Sequence, residues 1–335
     1  MVEHKMGKTL YLECRAGISG DMFVASLIDL GASQETLRKG LESLGVEGFD
    51  IMITRVKKSE LDACDFDVVL DAEHENHDHD MEYLHGSEAT KGNHEHVHEP
   101  DGHEHGHSHE HGDTHGHGHN HEHGDTHGHG HNHEYGHNHE HGHGHNHGHD
   151  QDYGHGHDHD HSHVHRGLPE IYAIIERANI TRRAKDISRH IFDVLAEAEG
   201  KAHGVPTDQV HFHEVGAVDS IADVVAAGIC LDDLDVGEVI VPELWEGTGT
   251  VRCQHGILPV PVPAVANIVS ANRIKLHVTD VQGELVTPTG AAIVAAIRTS
   301  DALPERFLIE KIGLGAGKRE YGTAGIVRAM LIRED

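Results

Sequence analysis

Two imidazoles and a carboxylate stand within four residues in the second half of the chain, at His211, His213 and Glu214. On a strand, alternate side chains share a face, so both imidazoles would point to the same side. Asp219 and Asp223 follow, and on a helix their spacing places both carboxylates on one face. This density of donor groups is typical of a metal or catalytic site. The alternative is structural, with Asp219 capping a helix and the histidines bonded to their neighbours.

A second pair of metal-binding residue types is Cys253 and His255, which are separated by one residue. The same alternation along a strand would direct the thiol and the imidazole to one side. A thiolate beside an imidazole suits Ni²⁺ or Zn²⁺. The alternative interpretation is a buried thiol next to a turn.

Asp21 stands where a glycine-containing loop enters a helix. The amino end of a helix attracts anions, but a carboxylate in the first turn would repel a phosphate. We therefore expect Asp21 to coordinate a metal ion or to act as a plain helix cap.

A second junction, at Thr287, Thr289 and Gly290, opens a helix with hydroxyls, free amides and no acid in the turn. This pattern predicts a phosphate site, and a simple proline-initiated helix is the alternative. The later segment 313–319, GLGAGKR, offers amides and two cations but lacks the spacing of a Walker A loop. The alternative interpretation of this segment is a glycine-rich turn between two edge strands.

Histidine is concentrated in one internal tract. Residues 71–165 hold 34 of the 41 histidines and carry 21 acidic residues against one lysine. The segment HGDTHGHGHNHE at 111–122 recurs unchanged at 123–134. Without apolar side chains to bury, the tract is predicted to be disordered, and its neutral imidazoles are predicted to bind Ni, Zn, Cu or Co. We take as representative metal ligands the regular histidines of the two repeats: His115, His117, His119, His127, His129 and His131.

The overall composition excludes several classes of protein. The net charge is −31 with no basic stripe, which argues against binding to nucleic acid. The sequence contains no apolar run long enough to cross a membrane. The amino terminus shows no cleavable signal pattern, and the four cysteines are scattered without a CxxC pair. We therefore expect a cytoplasmic protein with reduced thiols.

Strand and helix patterns alternate outside the tract, which predicts the α/β class with a mixed sheet, interrupted by a long disordered histidine-rich loop. We expect three segments: 1–71 and 166–335 as the two parts of the α/β body, and 72–165 as the metal-binding insert. The main expected elements are a strand at 9–14, a helix at 21–30 closed by Gly31, two strands within 49–70, helices capped by Thr181 and Asp219, and final strands at 307–312 and 324–332.

Five motifs in this order resemble one family, the LarC-type nickel-insertion proteins of nickel-pincer cofactor synthesis. They are TLYLECRAGISGDM at 9–22, VHFHEVGAVDSIADVV at 210–225, GTGTVRCQHGILPVPVPA at 247–264, GELVTPTGAA at 283–292 and IGLGAGKRE at 312–320. The histidine-rich insert is similar as well. The resemblance covers nearly all of residues 9–332.

The resemblance implies a nickel chelatase of the lyase class. Its reaction would insert Ni²⁺ into pyridinium-3,5-bisthiocarboxylic acid mononucleotide, with CTP and Mg²⁺ or Mn²⁺, to form the (SCS)Ni(II) pincer cofactor of lactate racemase-type enzymes. His211, His213, Glu214, Cys253 and His255 would hold or transfer nickel. Asp21, Asp219 and Asp223 would position a divalent ion, and Thr287, Thr289 and Gly290 a phosphate. The partners expected from the resemblance are the mononucleotide substrate, the recipient enzyme and further copies of the chain.

The sequence departs from the family pattern at three places. Glu13 stands where the family usually has Asp, and Gly167 replaces a frequent histidine. Family members commonly continue into a carboxy-terminal domain, so we expect this chain to resemble the amino-terminal part and to use a separate carboxy-terminal chain for CTP. Two other interpretations remain open: a non-enzymatic nickel or zinc store or metallochaperone, and a metal-dependent hydrolase.

Overall fold

A computed structural model describes residues 7–71, 166–212, 218–253 and 255–335, with only the backbone of His211. Twelve strands and seven α-helices alternate along these residues. The strands are β1 Lys8–Glu13, β2 Phe49–Lys58, β3 Leu61–Leu70, β4 Arg166–Gly167, β5 His211–Phe212, β6 Val236–Ile240, β7 Leu244–Thr248, β8 Thr250–Cys253, β9 Gly256–Pro259, β10 Leu276–Gln282, β11 Phe307–Ala316 and β12 Ile326–Glu334. The helices are α1 Gly20–Leu30, α2 Gln34–Glu42, α3 Leu168–Arg177, α4 Arg182–His203, α5 Val218–Asp233, α6 Pro263–Ala271 and α7 Pro288–Ile297.

The main sheet has six strands in the order β2-β3-β11-β12-β1-β6. β1 is antiparallel to β12 and parallel to β6, while β2 and β3 form an antiparallel hairpin. β3 joins β11 in parallel through the single pair Cys64 and Gly315. The sheet is therefore mixed, as predicted, and the α/β class is confirmed. The predicted disorder of 72–165 lies outside the described residues, and the division into three segments stays a prediction.

Helix α1 packs on one face of this sheet, where Leu10 and Leu12 of β1 are fully buried. Its approach to β11 is close enough to require glycine. A Cβ added at Gly313 would lie 2.2 Å from the carbonyl oxygen of Ser26, and one at Gly315 would lie 1.9 Å from that of Met22. Any larger residue at either position would therefore push the helix away from the sheet.

This packing corrects the expectation of a glycine-rich turn at 313–319. β11 continues through Ala316, so Gly313 and Gly315 belong to a strand. Neither β11 nor β12 is an edge strand, because β11 lies between β3 and β12 and β12 lies between β11 and β1. The glycines serve the contact between helix and sheet rather than a turn.

The helix ends predicted at Gly31 and Thr181 are confirmed. Gly31 ends α1 in the left-handed conformation at φ 103°, and the Thr181 hydroxyl accepts the N–H of Ala184 at the start of α4. Asp219 was predicted to be a cap, but α5 begins at Val218 and Asp219 lies inside its first turn. Its carboxylate is thereby placed on the side of the helix, where it faces a cavity. Among the described residues, no helix is long and apolar enough to cross a membrane.

Candidate functional site

A cavity of about 390 Å³ lies where the first turns of α1, α5 and α7 meet the last turn of α4 and the β8–β9 hairpin. This volume is within the range of small-molecule sites. The side chains of β3 complete its wall at Val68 and Leu70. The polar side chains that line it are Ser19, Asp21, Glu199, His203, Asp219, Ser220, Asp223, Arg252, Cys253, His255, Glu284, Thr287, Thr289 and Arg319.

One part of the cavity is a group of three carboxylates, Asp21 on α1 and Asp219 and Asp223 on α5, called the carboxylate cluster below. The Ser19 hydroxyl donates to Asp21 Oδ1. Among the described residues, Asp21 Oδ2 and Asp223 Oδ1 are buried and accept no hydrogen bond. Burial raises the pKa of Asp223 well above its usual range, and the negative charges of Asp21 and Asp219 raise it further. The cluster therefore favours a proton or a cation.

Two cations that follow β11 pair with acids beside this cluster. Lys318 Nζ donates to Asp67 of β3, and Arg319 Nη1 lies 2.6 Å from Glu284 Oε2. Burial by itself lowers the pKa of Lys318, but the nearby charge of Asp21 and the ion pair with Asp67 raise it overall. Each of these two cations thus neutralises a carboxylate.

Another part of the cavity wall carries sulfur and nitrogen donors. Cys253 Sγ lies 4.0 Å from His255 Nδ1 on the β8–β9 hairpin. The His255 ring is also 5.0 Å, centroid to centroid, from that of His203 on the last turn of α4. His203 Nε2 in turn lies 3.5 Å from Glu199 Oε2, one helical turn earlier. A thiol, two imidazoles and a carboxylate thus meet at one edge of the cavity. This edge offers sulfur and nitrogen donors, whereas the carboxylate cluster offers only oxygen.

The start of α7 forms a third part of the wall. The Thr287 hydroxyl accepts the N–H of Gly290 at 3.1 Å and so caps the helix. A Cβ at Gly290 would lie 2.2 Å from the carbonyl oxygen of Ile18, so this glycine permits contact with the loop before α1. Thr287 and Thr289 line the cavity. The structure thus gives Thr287 and Gly290 local roles, and phosphate binding here stays a prediction.

A buried carboxylate supports the segment that leads into α7. Glu246 Oε1 accepts backbone N–H groups from Gly247 and Leu285 at 2.8 Å and from Val286 at 3.1 Å. Burial raises the pKa of Glu246 to about 7, although the three hydrogen bonds lower it. The carboxylate therefore joins β7 to the strand-like segment that carries Glu284 and Thr287 into the cavity wall.

The sequence-predicted residues are partly brought together. The cavity wall unites Asp21, Asp219, Asp223, Cys253, His255, Thr287 and Thr289. The backbone of His211 pairs with Gly167 between β4 and β5, while its side chain lies outside the described residues. Also outside them are His213, Glu214, His115, His117, His119, His127, His129 and His131. Within the described ranges, no three His, Cys, Asp or Glu side chains lie close enough together, as they stand, to hold a metal ion.

Sequence reasoning missed His203, Glu199 and Glu246. A signal for the first two existed, because Glu199 and His203 are four residues apart just before Gly204, which ends α4. This spacing places both on one helix face. Glu246 offered no signal, since it lies in a short strand between apolar and glycine residues. Glu13, one of the departures from the family pattern, pairs with Arg15 and Arg328 and does not line the cavity.

Comparison with known proteins gives a consistent result. The family model described as nickel insertion protein matches residues 10–335. Three similar proteins carry the name pyridinium-3,5-bisthiocarboxylic acid mononucleotide nickel insertion protein. The one from Alkaliphilus metalliredigens is 44% identical over 98% of this chain and 62% of its own length. Those from Clostridium acetobutylicum and Acetivibrio thermocellus are 36% and 30% identical, over 98% and 97% of this chain and 64% and 60% of their own lengths. The chain thus spans about 60–64% of these relatives, and no solved structure matches it.

Proposed function

The chain belongs to the nickel insertion protein family, and from this premise we propose that it inserts Ni²⁺ into pyridinium-3,5-bisthiocarboxylic acid mononucleotide. The product would be the (SCS)Ni(II) pincer cofactor used by lactate racemase-type enzymes. The observation that carries the proposal is a single cavity with thiol and imidazole donors on one wall and a carboxylate cluster on another. Soft donors suit nickel in transit, and carboxylates suit a hard divalent ion or a proton.

The chemistry of a pincer product defines what the cavity must do. Nickel in an SCS pincer is bound by two sulfurs and a carbon, so the carbon gives up a proton when the bond to nickel forms. A base near that carbon is required. Asp21, Asp219 and Asp223 line the cavity, and the carboxylate of this cluster that does not bind the divalent ion would accept the proton.

The parts of the cavity wall also suggest which residues would bind the divalent ion, the substrate phosphate and nickel. The two buried oxygens of Asp21 and Asp223 that accept no hydrogen bond from described residues fit Mg²⁺ or Mn²⁺, the ion that would accompany CTP. Thr287, Thr289 and Gly290 would face the substrate phosphate. His211, His213 and Glu214 would pass nickel on from the histidine tract. We place the protein in the cytoplasm as a homo-oligomer, with a carboxy-terminal LarC-type portion supplying the use of CTP.

The proposal is tested by mixing the full chain with Ni²⁺, Mg²⁺, CTP and the dithiocarboxylated mononucleotide and detecting the nickel pincer by mass. The chain lacking residues 72–165 is assayed in parallel. Product from both forms would place the chemistry in the α/β body and leave supply to the tract. Bound nickel without product, even after addition of the carboxy-terminal portion of a relative, would instead favour a nickel store or carrier.

The histidine pair has its own test. Replacing His211 and His213 together by alanine should abolish insertion while the thermal unfolding curve stays unchanged. Insertion at the original rate would exclude both residues from the transfer of nickel. The matched control is His190→Ala, which changes an exposed histidine on α4 that does not line the cavity.

A further inference from the structure

We propose that His203, oriented by Glu199, joins Cys253 and His255 in a thiolate–imidazole site that hands Ni²⁺ into the cavity. This inference rests on the proposed function and adds two residues to it. It assigns the side chains of α4 a direct part in handling nickel. The four residues are called the transfer site below.

The distances fit a site that closes when metal binds. Metal–sulfur and metal–nitrogen bonds of about 2.3 and 2.0 Å around a tetrahedral ion place the two donor atoms about 3.5 Å apart. Cys253 Sγ and His255 Nδ1 are 4.0 Å apart, so a shift of about half an ångström brings both into range. Two imidazoles on one ion have ring centroids about 5 Å apart. The rings of His203 and His255 are 5.0 Å apart.

Glu199 has the position of a carboxylate that orients a metal-binding histidine. Such histidines commonly donate the N–H of one ring nitrogen to a carboxylate while the other nitrogen binds the metal. His203 Nε2 lies 3.5 Å from Glu199 Oε2, so Nε2 would pair with this carboxylate and Nδ1 would bind nickel. His203 is also in the last turn of α4, before Gly204 at φ 68°. The carboxyl end of a helix favours positive charge, so the helix itself supports a cation at this position.

Cys253 is the one cysteine of the chain that can supply a thiolate here. Cys14, Cys64 and Cys230 are buried, and burial raises the pKa of each thiol, that of Cys64 to about 11. Cys253 is partly exposed and lines the cavity. The histidine tract contains no cysteine. A sulfur-to-nickel charge-transfer absorption therefore reports on the transfer site alone, even in the full chain with all its histidines.

The experiment titrates the full chain with Ni²⁺ while the near-ultraviolet absorption of nickel thiolate is recorded. A chelator buffer sets the free Ni²⁺ concentration, so that the imidazoles of the tract do not displace the midpoint. Cys253→Ser should abolish the band. His203→Ala should shift the band and raise the midpoint by at least about tenfold, and Glu199→Gln should raise it by a smaller factor. The control His190→Ala, an exposed histidine on the same helix, should match the original chain.

Two outcomes would overturn the assignment. One is a band in His203→Ala with the original wavelength, intensity and midpoint. The other is a band that survives Cys253→Ser. Because alanine at the helix end could disturb folding, His203→Gln is titrated beside it, and both variants are required to unfold at the original temperature. An original midpoint in the folded glutamine variant excludes His203 as a ligand.

Parallel insertion assays separate this inference from the proposed function. If the original chain shows the thiolate band but forms no pincer product, even with the carboxy-terminal portion of a relative added, nickel insertion by this chain is wrong and nickel binding at the transfer site stands. If His203→Ala loses the band but inserts nickel at the original rate at low free Ni²⁺, the site binds nickel without handing it to substrate, and the inference is wrong. Loss of both band and insertion at low free Ni²⁺, with recovery of insertion at high Ni²⁺, supports the handover.

Discussion

Gly20 lies directly against the carboxylate of Asp223, so that a Cβ built on the glycine would come 2.4 Å from Asp223 Oδ2 and 2.9 Å from its Cβ. The first residue of α1 therefore sets the position of an acid on α5. Gly20→Ala should push this carboxylate out of the cluster, lower the rate of nickel insertion and reduce the free energy of unfolding by about 1–3 kcal/mol. Denaturant unfolding and the mass assay measure the two effects.

The control for this change is Gly167→Ala, at a helix-capping glycine where an added Cβ would meet only ordinary contacts of 3.5 Å or more. Gly167→Ala should change the free energy of unfolding by less than about 0.5 kcal/mol and the rate of nickel insertion by less than about twofold. Unchanged insertion in Gly20→Ala would show that the position of Asp223 is unimportant for the reaction.

Asp223→Asn should stabilise the fold at neutral pH while lowering activity. The pKa of Asp223 is raised in the folded state, so folded molecules bind its proton more tightly than unfolded ones. Its contribution is therefore most favourable at low pH and is lost as pH rises through the raised value. Asparagine cannot ionise, so the variant does not lose this stability as pH rises. The melting temperature of the variant should exceed that of the original chain at pH 7, and the difference should shrink toward acid pH.

The same pair of proteins tests the divalent ion. Mg²⁺ or Mn²⁺ should raise the melting temperature of the original chain, because a ligand that binds the folded state stabilises it. The rise should be much smaller in Asp223→Asn and in Asp21→Asn. An equal rise in all three proteins would place the ion elsewhere.

Glu246 should make stability depend on pH near neutrality. Its pKa rises from 4.5 to about 7 on folding, so between these values the folded state binds the additional proton and stability falls as pH increases. Above about pH 7 the loss is complete. Glu246→Gln keeps an acceptor for the three backbone N–H groups and should show no such fall. Glu246→Ala should lose about 1–3 kcal/mol at every pH, because those groups lose their acceptor. Unfolding free energies measured from about pH 5 to pH 8 distinguish the three chains, and a parallel decline in Glu246→Gln would contradict this role.

Gly315→Ala should destabilise the fold strongly, whereas Gly317→Ala should be tolerated. At Gly315 the added methyl would meet the backbone of α1, 1.9 Å from the carbonyl oxygen of Met22. At Gly317 it would meet the flexible thioether of the same residue at 2.8 Å, which can move away. We expect a loss of at least about 3 kcal/mol for the first change and less than about 1.5 kcal/mol for the second. Comparable melting temperatures would show that the helix moves to accommodate either residue.

Local signals predicted most elements of the described fold. Thr181 and Gly31 mark helix ends by hydrogen bonding and backbone conformation, which depend on neighbouring residues only. The order of the strands could not be predicted in this way, because β1 pairs with β6 and β12, which are distant in sequence. The glycines of β11 were misinterpreted as a turn for the same reason. Their role depends on α1, which comes about three hundred residues earlier.

In the candidate site, too, sequence spacing identified residues that are close along the chain but not those brought together by tertiary packing. Cys253 and His255 were found by their spacing, and Asp219 and Asp223 by theirs. The meeting of the hairpin with the end of α4 results from tertiary packing, so His203 could not be placed beside Cys253 from sequence. Roles for His213, Glu214 and the tract remain predictions, because those residues lie outside the described part of the chain.

The position of β12 has a consequence for the order of biosynthesis. It is the last described strand along the chain, yet it lies in the middle of the sheet between β1 and β11. A ribosome that has translated the histidine tract must still translate through residues 326–334 before the two halves of the sheet can be joined. A chain that stalls before that point presents two unpaired strand edges, which favour aggregation. The histidines of the tract are thus made well before the sheet is complete, and loss of β12 would leave them on a chain with two unpaired strand edges.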